Sequence, residues 1–194
     1  PEQRIFEVTE PVMRRLVSTD GPCPAAAVVA SPLVSLEGWR PPAGRVCLVA
    51  HRTSDPGNAG TLIRTASAAG AGAVVLTGDA CDVTSPKVVR SSMGALFQLP
   101  VVVEPDVERV LKTLKAAGYR VLAAEPSAGN LYTEENLTGS LALLLGEESS
   151  GLEAEVLRRT DLQVRIPVDG PVQSLNVAVS GAVLLYEALR QRGG

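Results

Sequence analysis

Residues 141–152 read LALLLGEESSGL, an apolar run that stops at a glycine and continues into acidic and small residues. An apolar run of this length, bounded in this way, predicts a β-strand that is buried on both faces. Gly146 would let the backbone approach a ligand closely, and Glu148 would stand at the mouth of the site. The alternative is structural, because Glu147, Glu148 and Glu153 would also suit the N-terminal dipole of a following helix.

Similar apolar runs recur on both sides of this stretch, and helical patterns separate them. The predicted strands cover residues 46–50, 73–76, 99–103, 119–123, 141–145 and 162–166. The predicted helices cover residues 61–69, 87–95, 107–117, 153–158 and 175–189. This alternation predicts an α/β fold with a mainly parallel sheet and helices on both faces. Ligand sites in such sheets lie beyond the carboxyl ends of strands, so the loops that follow strands should carry the chemistry.

The first 44 residues differ in pattern from residues 45–194. They contain, in order, a helical pattern over 8–17, a turn at Asp20-Gly21-Pro22, an apolar strand over 25–30 and a glycine- and proline-rich linker over 36–44. One helix and one strand cannot bury a core by themselves. We therefore expect residues 1–44 to be the end of a truncated small α/β domain plus a linker, and the start at Pro1 instead of methionine fits this expectation.

The composition fits a globular protein. Of the 194 residues 45% are apolar, which is enough for one α/β domain and part of a second. No apolar run approaches the roughly 18–20 residues of a membrane helix. Neither end resembles a signal peptide, so we expect a cytoplasmic protein without a membrane partner. The net charge of −3 does not favour binding to nucleic acid, although it leaves the local distribution of charge open.

The cysteines and the histidine do not suggest a metal site. Cys23, Cys47 and Cys81 are odd in number and widely spaced, without a C-x-x-C pair. We therefore expect reduced thiols instead of metal ligands or a disulfide framework. The single histidine, His51, follows an apolar run and is expected to be a structural or loop residue.

The loop after the first predicted strand of the α/β region reads DPGNAGTLIR over residues 55–64. Asn58 is placed either to cap the following helix or to act in a site, and its residue type fits both roles. Arg64 is either a solvated surface group or a planar donor that grips a substrate phosphate with two parallel hydrogen bonds.

A third loop, residues 166–176, reads IPVDGPVQSLN and joins the last predicted strand to the last helix. Ser174 taken alone would be an ordinary N-cap. The helix that follows has apolar residues at the spacing of a core-facing helix: Leu175, Val179, Ala182, Leu185 and Leu189.

These three loops, in this order, resemble the three signature motifs of the SpoU family of RNA ribose methyltransferases, part of the SPOUT superfamily. Residues 87–95, KVVRSSMGA, lie between the first two motifs and are also similar to the family. The resemblance covers essentially all of residues 45–194. The front helix, Pro24 and the alanine-rich stretch are similar to the end of a ribosomal-protein-like RNA-binding domain that many members carry.

The resemblance implies a C-terminal trefoil knot, in which the last third of the domain is tucked through a loop. It also implies S-adenosylmethionine as the cofactor, no metal, and a homodimer with the substrate groove at the subunit interface. It assigns five residues to the cofactor pocket, largely through backbone groups: Gly146, Ile166 and Leu175, with Ser174 and Asn176 shared with the active site. It assigns three residues to the substrate side: Asn58, Arg64 and Glu148.

The activity that the resemblance implies is transfer of a methyl group from S-adenosylmethionine to a ribose 2′-hydroxyl of RNA. Because a guanidinium is effectively always charged, we expect Arg64 to fix a substrate phosphate and to stabilise the developing alkoxide instead of acting as a base. A front RNA-binding domain is commoner in the ribosomal-RNA members, so large-subunit ribosomal RNA is the expected substrate. Whether the modification serves antibiotic resistance or housekeeping stays open.

Other functions make different demands on the sequence. A transfer-RNA ribose methyltransferase would share the same motifs and stays open as an alternative. A non-catalytic RNA-binding or ribosome-assembly factor on this scaffold should lack one of the polar motif residues, and all of them are present: Asn58, Arg64, Glu148, Ser174 and Asn176. A Rossmann-type nucleotide enzyme should have a G-x-G-x-x-G turn where residues 55–60 read DPGNAG.

Overall fold

The computed structural model describes residues 4–17 and 21–193. They fall into two compact units, Pro1–Ser31 and Pro32–Gly194.

The front unit contains one of its two predicted elements. The predicted helix is present as α1 (Glu10–Leu16), and none of its residues is buried. The strand predicted over residues 25–30 is wrong, because these residues have irregular backbone and exposed side chains. A strand needs a neighbour to complete its backbone hydrogen bonds, and the described part of this unit offers none. Asp20 of the predicted turn lies outside the described residues.

The second unit is built around one eight-stranded sheet in which every pairing is parallel. Its strands are β1 (Leu33–Val34), β2 (Val46–His51), β3 (Ala73–Thr77), β4 (Val101–Val103), β5 (Arg120–Ala124), β6 (Asn130–Leu131), β7 (Leu141–Leu145) and β8 (Leu162–Arg165). Its helices are α2 (Pro56–Ala68), α3 (Pro86–Ser91), α4 (Val107–Ala116), α5 (Ala154–Leu157) and α6 (Val177–Gln191), with a 3-10 turn at Ala95–Phe97.

All the predicted strands of this unit are present, with small differences at their ends. The prediction missed β1 and β6, the two edge strands, which are too short to show a pattern of alternation. The predicted helix over 87–95 is cut short as α3. Met93 and Gly94 have left-handed backbone, with φ of 50° and 85°, which ends the helix before the 3-10 turn.

Helices cover both faces of the sheet. Side chains of the central strands alternate between two cores, as Leu48 and Val49 of β2 do. The first core is closed by α2, α3 and α6, and the second by α4 and α5. The predicted linker over 36–44 has irregular backbone, but Leu36 and Trp39 are buried in the second core, so it packs against the sheet.

The strand order places a crevice at the centre of the sheet. In space the strands follow β1-β4-β3-β2-β7-β5-β8-β6. The chain moves outward from β2 to β3 and β4 on one side, and later inserts β7 between β2 and β5 on the other. The loops after β2 and β7 therefore diverge at a topological switch point, where ligands of open α/β sheets bind.

The last helix returns from the edge of the sheet to its centre. It follows β8 and packs against α2 and β7. Gly181 of α6 allows this close approach, because a Cβ atom there would lie 2.6 Å from Cδ2 of Leu62 and 3.0 Å from Cδ1 of Leu145. This packing brings the start of α6 to the loops after β2 and β7.

Candidate functional site

Three polar side chains, one from each motif loop, meet at the carboxyl edge of the central strands. Glu148 Oε1 accepts hydrogen bonds from Asn58 Nδ2 at 2.6 Å and from Asn176 Nδ2 at 2.8 Å. Asn176 Nδ2 also donates to Asn58 Oδ1 at 3.1 Å. We call these three residues the polar triangle. It joins segments that are far apart in the sequence, and every predicted motif contributes one member.

The helix caps differ from those predicted. Asp55, not Asn58, is the N-cap of α2, and its carboxylate accepts from the backbone N–H of Asn58 at 2.8 Å. Asn176, not Ser174, is the N-cap of α6, and its Oδ1 accepts from Ala178 N at 2.9 Å. The Asn58 side chain therefore does not cap a helix and is available to the polar triangle. The Asn176 side chain both caps α6 and belongs to the triangle.

Glu148 does not serve the dipole of the next helix. The N-cap of α5 is Glu153, and Glu148 lies earlier in the loop with its carboxylate in the triangle. Among the described residues, every hydrogen bond to this carboxylate goes to Oε1. The dipole interpretation of Glu148 is therefore wrong, and Oε2 is left for another partner.

Gly146 is required by the fold of its own loop. The backbone of Glu147 pairs with that of Gly151 through hydrogen bonds of 3.1 and 2.9 Å. This pairing folds the loop back, and a Cβ atom on Gly146 would clash with the Gly151 carbonyl and lie 2.8 Å from Leu152 N. The loop alone therefore requires glycine at this position, and Gly146 also lines the cleft described next, where the predicted close approach of a ligand stays a prediction.

A cleft of about 510 Å³ opens beside the triangle, within the size range of small-molecule sites. It is lined by the loops after β5, β7 and β8 and by the start of α6. Gly146, Ile166, Ser174 and Leu175 all lie in its wall. Glu125, Glu147 and Glu148 also line it, whereas no lysine, arginine or histidine of the described chain does. The cleft therefore suits a ligand with apolar parts and positive charge.

Glu125 was not predicted to line the site. It follows β5, whose neighbour in the sheet is β7, so the rule that sites lie beyond strand ends already covered this loop. A second, smaller cleft of about 120 Å³ adjoins the first and shares the Gly146–Ser149 wall with it. Its other wall contains Asp55 and Asn58.

Arg64 is not brought to the triangle within one chain. It lies on the exposed side of α2 and lines neither cleft. Its side chain has no hydrogen bond or ion pair with any other residue that the structure describes. The guanidinium is therefore free to bind a ligand, but the structure does not place it beside Glu148.

His51, the last residue of β2, ties two of the loops together. Its Nδ1 lies 2.8 Å from Thr77 Oγ1, and its Nε2 lies 3.0 Å from Glu153 Oε2. Arg52 donates to the other oxygen of Glu153. Hydrogen bonding to its own backbone holds the pKa of Glu153 below its usual value, and the nearby His51 and Arg52 lower the pKa further. The prediction of a structural role for His51 fits these contacts, which the sequence could not reveal.

The three cysteines are free thiols. Burial raises the pKa of the Cys47 thiol to about 11, so it is unreactive. Within residues 4–17 and 21–193, no group of three or more histidine, cysteine or acidic residues could hold a metal ion. In the same residues, no helix is long and apolar enough to cross a membrane.

Comparison with known proteins gives consistent matches. The family model of the SpoU rRNA Methylase family matches residues 45–186. A 23S rRNA guanosine 2′-O-methyltransferase of Bacillus subtilis is 36% identical over 181 residues, which cover 93% of this chain and 71% of that protein.

Solved structures agree with this match. The crystal structure of an RNA 2′-O ribose methyltransferase superposes with a TM-score of 0.80 and 40% identity, covering 97% of this chain and 72% of that one. The SpoU methyltransferase AviRb of Streptomyces viridochromogenes, solved with the cofactor AdoMet, gives a TM-score of 0.75 and 34% identity. That match covers 79% of this chain and 63% of AviRb.

Proposed function

Because the chain belongs to the SpoU rRNA methylase family, we propose that it transfers a methyl group from S-adenosylmethionine to a ribose 2′-hydroxyl of 23S ribosomal RNA. The single observation that carries the proposal is the polar triangle beside the acidic cleft. The relative from Bacillus subtilis is named for the same reaction on 23S rRNA. Transfer RNA is the second candidate substrate, and the experiment below distinguishes it from 23S rRNA.

The cleft fits S-adenosylmethionine by its size and by its lining. Ile166 and Leu175 offer apolar surface to the adenine ring of the cofactor. The carboxylates of Glu125 and Glu147 suit the ammonium and sulfonium charges of the cofactor. Gly146 would hold it through backbone groups, with Ser174 and Asn176 supporting the pocket. When bound, this cofactor supplies a methyl group already activated by the positive sulfur, so the protein chiefly has to position the reacting groups.

The triangle orients a carboxylate towards the reacting hydroxyl. Asn58 and Asn176 both donate to Glu148 Oε1, which fixes the carboxylate, and Oε2 has no partner within the described chain. Oε2 can therefore accept a hydrogen bond from the ribose 2′-hydroxyl and orient it. As the methyl group is transferred to the 2′-oxygen, the single hydroxyl proton passes along this hydrogen bond to Oε2 and from there to water or to a substrate phosphate.

Arg64 would bind the phosphate next to the target ribose. Its guanidinium is exposed and unpartnered among the described residues, as a phosphate ligand requires before binding. Arg64 lies six positions after Asn58 on the helix, a rise of about 9 Å along its axis. The RNA would then lie with its target ribose near Glu148 and the adjacent phosphate near an Arg64 guanidinium, in the groove of the dimer proposed below.

We also propose a homodimer that buries the exposed side of α6. Val179 and Tyr186 are 49% and 51% exposed on this helix, so Val179 does not face the core as its spacing predicted. Ala182 and Val183 between them are only half-buried. A continuous apolar strip on a surface helix is typical of a protein interface. The substrate groove would lie at this interface.

The remaining proposals concern the chain as a whole. Residues 45–194 would be the catalytic domain, with a trefoil knot formed where α6 returns beneath the loop after β7. Residues 1–44 would be the end of a ribosomal-protein-like substrate-binding domain and its linker. A cytoplasmic location accords with a ribosomal RNA substrate.

Methyl transfer from labelled S-adenosylmethionine to purified 23S rRNA, 16S rRNA and transfer RNA tests the activity. We expect label in 23S rRNA, mapped to one ribose, and none with Glu148→Ala. Label in transfer RNA alone would favour the second candidate. Binding of S-adenosylmethionine without transfer to any of these RNAs would favour a non-catalytic RNA-binding factor.

A further inference from the structure

The loop that carries Glu148 is fastened at its far end by residues that do not line the main cleft. This loop, residues 146–153, starts at β7 and ends at Glu153, the N-cap of α5. Because α5 is a single turn, it cannot by itself anchor the loop firmly. The contacts of Glu153 with His51 and Arg52 tie that end to the strand that precedes Asn58.

We propose that His51, Arg52 and Glu153 act as a clamp that positions Glu148 and the backbone of residues 146–151 for cofactor binding and methyl transfer. This inference rests on the proposed function and deepens it. The three residues are positioning residues, since none of them belongs to the polar triangle or lines the cofactor cleft, although Arg52 lines the smaller cleft beside it.

One residue of the clamp, Arg52, has a strained backbone conformation. Arg52 has left-handed backbone, with φ of 57°, which is unfavourable for a residue with a side chain. Its N–H donates to Thr77 O at 2.8 Å and so holds this conformation. Gly78 leaves the necessary space, because a Cβ atom there would lie 2.7 Å from Arg52 Cγ and 3.1 Å from His51 Cε1. Strain held in this way next to a site is typical of functional positioning.

The exposure of His51 and Glu153 indicates that their contact positions the loop and adds little to the overall stability of the protein. His51 is 4% exposed, so its ring is a fixed point of the sheet edge. The Glu153 side chain is 43% exposed, and ion pairs at such exposure add little to the global free energy of unfolding. Loss of the carboxylate should therefore free the loop while the rest of the unit stays folded.

Glu153→Ala tests the clamp, with Glu108→Ala as the matched control. Glu108 has a 47% exposed side chain and forms an ion pair of 2.6 Å with Arg159 on the other face of the sheet. We expect faster amide hydrogen exchange confined to residues 146–153 in the cofactor-free Glu153→Ala protein. The Kd for S-adenosylmethionine, measured by calorimetry, should rise about tenfold because binding must then order the loop.

Turnover gives an independent readout. The kcat for methyl transfer should fall about tenfold to a hundredfold, since small misplacements of reacting groups are costly. Glu153→Gln should recover part of the loss, because its amide oxygen can still accept from His51 Nε2. The Glu108→Ala protein should match the wild type in exchange, affinity and kcat, with a similar Tm to Glu153→Ala.

Two results would overturn the clamp: unchanged exchange and Kd in Glu153→Ala, or exchange that rises throughout the sheet, which would mark a general stability role. Failure of the proposed function looks different. If the wild type binds S-adenosylmethionine but methylates none of the RNAs, exchange and Kd still decide whether the clamp exists.

Discussion

A carboxylate oxygen that accepts two amide N–H groups has a fixed direction, and this is the state of Glu148 Oε1. Asn58 supplies one of these donors and does not cap its helix, because Asp55 does so. The side chain of Asn58 can therefore be removed without disturbing α2. At the scale of single residues, removing the Asn58 side chain should therefore affect catalysis and leave the stability of α2 unchanged.

Asn58→Ala should lower kcat for methyl transfer by about ten- to a hundredfold, because Glu148 loses a partner that orients it. The free energy of unfolding should change by about 1 kcal/mol or less, since exposed hydrogen bonds contribute little net stability. Steady-state kinetics and urea unfolding measure the two effects.

The control for Asn58→Ala is Asp106→Ala, which removes the N-cap of α4 on the other face. It should cost about 0.5–2 kcal/mol of stability and leave kcat unchanged. The functional assignment of Asn58 fails if its variant loses stability as Asp106→Ala does while each folded molecule turns over normally.

Arg64→Lys should raise KM for RNA or lower kcat about tenfold, because an ammonium cannot grip phosphate with two parallel hydrogen bonds. Its Tm should equal that of the wild type, since Arg64 is exposed and unpartnered among described residues. Arg158→Lys, exposed at the end of α5, is the control. Near-normal turnover by Arg64→Lys would show that the planar fork is not needed.

Capping shows why residue roles were only partly predictable. The polar types at 58 and 176 were recognised, but capping depends on where a helix begins. Pro56, favoured at the first helical position, starts α2 earlier than apolar periodicity suggested, so Asp55 takes the cap. One such shift changes the role of Asn58 from cap to site residue.

At the scale of elements, two helical glycines set how closely helices pack. A Cβ atom on Gly60 of α2 would clash with the Ser91 hydroxyl and lie 2.9 Å from Val88 O of α3. A Cβ atom on Gly181 of α6 would meet only the flexible ends of Leu62 and Leu145. Backbone cannot yield as side-chain tips can, so the two positions should differ.

Gly60→Ala should destabilise the protein by about 1–3 kcal/mol through overpacking. Gly181→Ala should cost less, because both variants gain about 1 kcal/mol of helix propensity but only the clash at Gly181 is with side-chain tips that can move. Guanidinium unfolding with equal m-values measures both. An equal or reversed order would mean that α2 and α3 can move apart freely.

Helix α6 also carries an acid-sensitive contact. Hydrogen bonds from Arg190 and Gln191 lower the pKa of Glu187 from 4.5 to about 2. Because the folded-state pKa lies below the unfolded value, this stabilisation is complete above pH 4.5 and is lost as the pH falls towards about 2.

Wild type should therefore be more stable than Glu187→Gln at pH 7, and the difference should shrink between pH 4.5 and pH 3. Urea unfolding midpoints of both proteins, measured across this pH range, give the difference in stability. The contributions of other titrating groups are the same in both proteins and cancel in this difference. If the difference in stability stays constant with pH, titration of Glu187 does not contribute to the acid sensitivity of the protein.

Elements were predictable where they are long and buried. The run over 141–145 became β7 with its expected bounds, because a central parallel strand is apolar throughout. The stretch over 25–30, AAAVVA, is also apolar throughout, but it has no neighbouring strand in the described chain and is irregular. Composition therefore predicts a strand only where the fold supplies a partner.

At the scale of the whole molecule, the site depends on an order of strands that no local pattern contains. β7 inserts between β2 and β5, and α6 returns from the sheet edge, so Asn58, Glu148 and Asn176 meet. Periodicity predicted the strands and the edge on which ligands bind. Only the resemblance of the three motif loops to a known family indicated that they converge.

The same scale decides how many chains make one working site. Arg64 and the triangle are separate within one chain, and the exposed side of α6 offers apolar surface for a second copy. We expect the wild type to sediment at twice its 20.2 kDa mass and Tyr186→Glu to sediment as a monomer, because a buried carboxylate without a partner is costly. Val103→Glu, at a position 42% exposed on β4, should remain a dimer and serves as the control. If the monomeric variant keeps full kcat, the substrate groove lies within one chain, and α6 serves association alone.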